Sequence, residues 1–142
     1  MLKTFPIGGV HPPENKITAG VPIDYLPVPE SVIIPVSQHI GSPANPVVSK
    51  GDTVKVGQLI AAGKGFVSAN IHSSVSGKVN KIDFAADSTG YKQTAFFIDV
   101  EGDEWMETIN RNKEINRDIN LSSEQIIKRC FESGVVGLGG AT

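Results

Sequence analysis

The sequence predicts a mainly β fold, a small barrel or sandwich, on three observations. Short apolar, β-branched runs recur through residues 31–100, turn residues separate them, and all nine prolines fall between Pro6 and Pro46. Strands of that length and spacing indicate a compact all-β unit rather than alternating strands and helices. Ser31-Val32-Ile33-Ile34-Pro35-Val36 is the first run. Val54–Ala61 mixes alternating and continuous apolar positions, and Gly77–Phe84 sets Val79, Ile82 and Phe84 among polar residues. Thr94–Val100 closes the set. Turns fall at Gly41-Ser42-Pro43, Lys50-Gly51-Asp52, Gly63-Lys64-Gly65 and Asp87-Ser88-Thr89-Gly90, built from residues that supply or tolerate special backbone angles. Val48-Ser49-Lys50-Gly51-Asp52-Thr53-Val54 is echoed by Val75-Ser76-Gly77-Lys78-Val79. Both put a glycine turn between valines, as two interlocked hairpins of one flattened barrel would.

The flanks read differently. Proline fixes φ and lacks a donor, so residues 1–30 form an extended arm rather than a helix. Its Ile7, Val10, Ile23, Tyr25 and Leu26 are anchors for a neighbouring surface; a mobile leader is the alternative. The barrel occupies residues 31–101 and a charged linker residues 102–121. The stretch 101–120 holds six acidic and three basic side chains, with Trp105 as its one large apolar anchor. Residues 122–133 predict a helix. Ser122 caps it, Gln125 completes a capping box, and Gly134 stands where a left-handed C-terminal cap belongs. Ile126, Ile127, Cys130 and Phe131 share one face, on which Cys130 is expected as a small buried hydrophobe. Residues 122–142 form the last unit.

Composition excludes several classes. A chain of 142 residues, 39% hydrophobic with a net charge of −2, gives no electrostatic case for nucleic acid or an anionic membrane surface. No apolar run reaches the roughly 18 residues of a membrane-spanning helix, and Met1–Pro6 lacks the apolar core of a signal peptide. One cysteine excludes an internal disulfide and a cysteine-only cluster site.

Two stretches invite a chemical reading. Gly51-Asp52-Thr53-Val54-Lys55-Val56-Gly57-Gln58, followed by Gly63–Gly77, resembles the approach of biotinyl and lipoyl domains to the hairpin that carries their modified lysine. Lys64 fails that role on position and context. Counting from Gly57 puts the modified residue near Val67 or Ser68, and Lys64 sits between two glycines without the flanking residues a ligase reads. His72 lacks Cys, Asp or Glu at ligand spacing, and His11 and His39 fall in unrelated turns, so a metal site is not indicated. A turn histidine beside serines satisfies backbone groups more often. The second stretch is the terminal Gly137-Leu138-Gly139-Gly140-Ala141-Thr142. Glycines at 137, 139 and 140 let a backbone approach a ligand and aim amides at an anion, typically phosphate. The run is neither a full GxGxxG nor a phosphate loop. A flexible tail would explain the glycines but not the capped helix leading into them, so a fragment of something longer is expected.

Residues 8–16 (GGVHPPENK), 35–58 (PVSQHIGSPANPVVSKGDTVKVGQ), 68–79 (SANIHSSVSGKV) and 134–142 (GVVGLGGAT) together closely resemble RnfC, a family of electron transport subunits in the Rnf ion-translocating ferredoxin:NAD oxidoreductase. The resemblance runs from end to end. It implies a barrel-sandwich hybrid domain, the biotinyl/lipoyl-like fold without its prosthetic group, followed in the parent protein by a flavin- and NADH-binding domain. That domain would open on Gly137, Gly139 and Gly140 as cofactor contacts. It also implies FMN, NADH and two [4Fe–4S] clusters in the parent. No Cys-x-x-Cys occurs here, so no cofactor is expected in this stretch and no catalytic or metal residue is assigned. The implied location is peripheral, on the cytoplasmic side of the bacterial inner membrane without direct insertion. The implied partners are the rest of the subunit, the other Rnf subunits, and ferredoxin and NAD through the complex. The implied role is a docking or scaffold module, inactive alone. Competing readings are the similar cobalamin reductase of propanediol-utilisation microcompartments, a carrier domain, and a lipoyl-like segment of a membrane-fusion transporter. The last would bring flanking heptads, which are missing.

Overall fold

The structure, a computed structural model, describes residues 8–9, 13–87 and 90–137; of the residues singled out above, Ile7, Val10, His11, Ser88, Thr89, Gly139 and Gly140 lie outside that range. Among the described residues, seven strands and one helix follow in order: β1 (Ser31–Pro35), β2 (Asn45–Pro46), β3 (Thr53–Val54), β4 (Leu59–Ala62), β5 (Ile71–His72), β6 (Gly77–Ala86), β7 (Lys92–Val100) and α1 (Ser123–Glu132). They form two antiparallel sheets, one ordered β1-β7-β6-β3 and the other β2-β4-β5.

The apolar runs become strands because their inner positions meet across the sheet. Val32, Ile98 and Val79 stand in one cross-strand row, and Ile34, Phe96 and Ile82 in the next. In β6 the inward positions step from Val79 to Ile82, three residues rather than two, and the register with β7 shifts between Val79 and Lys81. A bulge there absorbs one extra residue and returns the alternation to the core side. Phe96, Ile60, Ile98, Val54 and Val79 are fully buried, each worth about 1.5–3 kcal/mol of apolar burial. Ile34, Val36, Ala44, Ala61 and Ile71 complete the core between the sheets.

The single run expected over Val54–Ala61 is two strands in two sheets. The break is Gly57, at φ +81°, whose N–H donates to Ser73 O at 2.7 Å. The positive φ suits glycine, and a Cβ would also displace the tip of Ile109, so glycine favours the point where the chain leaves the first sheet and enters the second. The echoed glycine segments lie antiparallel beside each other. Gly51 N–H donates to Val79 O at 2.7 Å and Val79 N–H to Asp52 O at 2.9 Å, the reciprocal pairing that interlocked hairpins require.

Pro35 sits on β1 and Pro46 on β2, both edge strands; a missing N–H is tolerated there because no neighbour needs it. Residues 13–30 ahead of β1 have no strand or helix, and Ile17, Ile23, Tyr25 and Leu26 are about nine-tenths exposed.

Two expectations change. Part of the charged connector lies on the barrel. Trp105 forms a parallel bridge with Val56, Val56 N–H donates to Glu104 O at 2.9 Å, and Met106 N–H donates to Val56 O at 3.0 Å. Arg111 stacks its guanidinium 4.4 Å from the Trp105 ring centre. The segment's backbone and Ile109 attach it to the barrel, and Glu104 adds an ion pair to Lys55 at 3.1 Å. The second change is α1. Its caps form as expected: Ser122 N–H donates to Gln125 Oε1 at 2.8 Å, Gln125 N–H to Ser122 Oγ at 3.3 Å, and Val135 N–H closes back on Cys130 O with Gly134 at φ +66°. Yet no residue of the helix is buried, and Cys130 is exposed. Periodicity defines an apolar face but not what covers it. Here the face of Ile126 and Cys130 borders a groove shared with Ile119 and Leu121 instead of a core.

Candidate functional site: the hairpin apex and the helix end

The apex between β4 and β5 is the place where a carrier domain would display its lysine. Here it is a loop braced by side chains. Ser68, almost completely buried, accepts Lys64 N–H at 3.1 Å and donates to Ser42 O at 2.9 Å. Asn70 Oδ1 accepts Gly63 N–H at 2.9 Å. Gly41, whose loop packs on the apex, has no room for a Cβ beside Val67 O. The residue left protruding is Phe66, fully exposed, next to Gly65 at φ +96°. Lys64 is exposed and lies in the same loop, two residues before Phe66.

Within His72-Ser73-Ser74-Val75-Ser76-Gly77, two serine side chains serve the backbone. Ser73 and Ser76 are buried. Ser73 Oγ donates to Val75 O at 2.7 Å, and Ser73 N–H donates to Gln58 O at 2.8 Å. Ser76 Oγ donates to Glu101 O at 2.7 Å and accepts Glu104 N–H at 3.1 Å. Each hydroxyl therefore satisfies groups that the tight crossing of strands would otherwise orphan. His39 Nδ1 is likewise engaged with Ile40 O at 2.8 Å.

His72 faces the helix. It lines a cavity with Thr108, Ile109, Leu121, Gln125, Lys128 and Glu132, and Arg129 and Ser133 complete the wall. Burial there holds the imidazole's pKa below its ordinary 6.5, since desolvation penalises the charged form. Of the charged residues in that wall, Lys128 and Arg129 are cations and Glu132 is the carboxylate. A lowered folded value means the unfolded chain takes up the proton first. His72's contribution to stability is therefore whole above about pH 6.5 and declines as pH falls through that value. Urea unfolding between pH 7.5 and 5 should show this decline, and His72→Gln should flatten it. An identical slope in both proteins would refute the assignment.

Gly137 is the one predicted cofactor contact within the described residues; it is exposed, in a shallow groove with His39, Ile40, Phe66, Val67, Ser68 and Val136. As far as the described residues line it, this groove offers no side-chain cation for a flavin's phosphate, and the polar groups of Ser68 and His39 are already hydrogen-bonded. The donor set fails an iron–sulfur cluster, which takes four thiolates where the sequence has one cysteine. Sequence reasoning missed Asn70, Trp105's bridge to the barrel and the buried Ser68; an asparagine in a turn ordinarily signals only the turn.

Two antiparallel sheets with a braced hairpin apex define a barrel-sandwich hybrid of the biotinyl/lipoyl kind. The chain belongs to the RnfC family: residues 3–103 match the family model described as the RnfC barrel sandwich hybrid domain. It is 49% identical over its whole length to the C subunit of the proton-translocating ferredoxin:NAD(+) oxidoreductase complex of Clostridium ljungdahlii, covering 31% of that protein. It is 42% identical over 95% of its length to the Na(+)-translocating counterpart of Acetobacterium woodii, covering 30% of it. The C subunit of the ion-translocating oxidoreductase complex of Rhodobacter capsulatus is 37% identical over 99% of the chain, which covers 27% of that relative. The chain thus spans about a third or less of the length of these relatives. Their names favour the RnfC reading over the cobalamin-reductase one.

Proposed function

We propose that this chain is the docking module of the RnfC protein in an ion-translocating ferredoxin:NAD oxidoreductase, a barrel that orients a nucleotide-binding region against neighbouring subunits and transfers no electrons itself. The observation that carries the reading is the apex: where a carrier exposes a lysine, Phe66 protrudes from a loop fixed by Ser68 and Asn70. The exposed Ile23, Tyr25 and Leu26 of the arm offer a second apolar contact. Electron exchange between ferredoxin and NAD needs FMN, NADH and [4Fe–4S] carriers, whose binding we assign to the rest of the subunit. Gly137, Gly139 and Gly140 would present amides at the margin of that nucleotide site. The complex would hold the module on the cytoplasmic face of the inner membrane without insertion. No helix among the described residues is long and apolar enough to cross a membrane.

The test is made in the assembled complex. Replacing Phe66 and Val67 by serine, together with Ile23, Tyr25 and Leu26, should leave the subunit folded and able to oxidise NADH with an artificial acceptor. It should no longer co-purify with the membrane subunits, and ferredoxin-linked NAD reduction should be lost. Normal assembly of that variant sinks the docking role. A titration of FMN against residues 1–142 should show no saturable binding below the millimolar range; tight binding would contradict placing the flavin elsewhere.

A further inference from the structure

α1 is a ten-residue helix with no buried residue, and isolated helices of that length are marginal in water. Something outside it must hold its C-terminal end, and the structure shows what does. Asn70 on the apex loop works in two directions. Its Oδ1 accepts Gly63 N–H at 2.9 Å, and its Nδ2 donates to Glu132 O at 3.2 Å. The two partners fix which end of the amide is which, since one is a donor and the other an acceptor. Glu132 O is one of the last-turn carbonyls that a helix leaves without an internal partner. Among the described residues this is the only hydrogen bond joining residues 121–137 to the barrel. Two residues on, Gly134 lies directly against Asn70 O, where a Cβ would collide, and within 3.5 Å of His72 Nδ1 for the same hypothetical atom. The chain then passes along the apex to Gly137, beside Phe66 and Ser68.

We infer that Asn70 is a positioning residue: with Gly134 as its seat, it latches the end of α1 to the barrel and so sets where the glycine-rich run begins. Docking at the apex and placement of the following nucleotide site are thereby coupled through one side chain. The coupling rests on the proposed docking function, while the latch itself stands on the hydrogen bonds and the close approach.

Asn70→Asp separates the two. Aspartate keeps an acceptor for Gly63 N–H but turns the donor facing Glu132 O into a second acceptor, so the helix contact becomes repulsive. Gly134→Ala attacks the seat from the other side and leaves the Gly63 bond intact. In the full-length protein within its complex, both variants should speed amide exchange at residues 123–134 by about fivefold or more, with β6 and β7 amides unchanged. They should also raise the KM for NADH while kcat stays within about twofold. Faster exchange with unaltered kinetics would keep the latch and overturn the nucleotide-site reading. Unchanged exchange in both variants overturns the latch. Should Asn70→Asp also loosen β6 and β7, Gly134→Asn decides, because asparagine tolerates the left-handed cap while its Cβ still meets Asn70 O: local loosening supports the latch and unchanged exchange refutes it.

Discussion

Phe96→Ala should lose about 3–5 kcal/mol of stability, a large share of the roughly 5–15 kcal/mol that holds a domain folded. Phe96 is fully buried on β7, which has a neighbour on each side, and it stands in a row with Ile34 and Ile82. The flanking strands are hydrogen-bonded along their length, so the space left by the ring cannot close by collapse. Dispersion contacts around it are lost outright rather than replaced. Urea unfolding followed by circular dichroism gives the value directly. A loss below about 1 kcal/mol would mean that the core repacks and that Phe96 is not its centre.

Gly77→Ala should be comparably damaging through the backbone. Gly77 opens β6 at φ +152°, and a Cβ there would run into Asp99 O on the paired strand β7. A main-chain oxygen in a ladder cannot swing aside as a lysine tip can, so β6 and β7 would have to part near Ser76, whose hydroxyl ties the same corner to Glu101. A loss of about 3 kcal/mol or more is expected. Gly51→Ala is the control. Gly51 has φ +93° but nothing within 4 Å of the added atom, so only the backbone preference is lost, about 1–2 kcal/mol. Equal thermal shifts in the two variants would show that the close approach at Gly77 does not matter.

What the sequence revealed follows from the range of the interactions involved. The caps of α1 were legible because Ser122, Gln125 and Gly134 are near one another along the chain and act through local backbone groups. β1, β6 and β7 were legible because their apolar side chains answer to one core. Even the slip from Val79 to Ile82 was present in the pattern, although its meaning as a bulge depends on β7 holding the register. The two-residue strands β2 and β5 carry too little pattern to read. Gly57 lies inside what reads as one run, and the transfer between sheets there shows only with Ser73 on one side and Ile109 on the other. Cys130 sits on the face that periodicity assigns, and nothing local says that the face lacks a cover. Asn70 was the least visible, because its partner lies 62 residues further along the chain. The backbone role expected of the turn histidine falls instead to its neighbours Ser73 and Ser76.

The prolines at the sheet margins limit how another polypeptide can join this one. Strand-by-strand recruitment needs a run of free N–H and C=O groups. β1 ends in Pro35, β2 is only Asn45-Pro46, and the opposite margins, β3 and β5, are two residues each. An incoming strand would find no rail to zip along. A partner strand would gain few ladder bonds at these margins, so side chains and loops would have to carry an association.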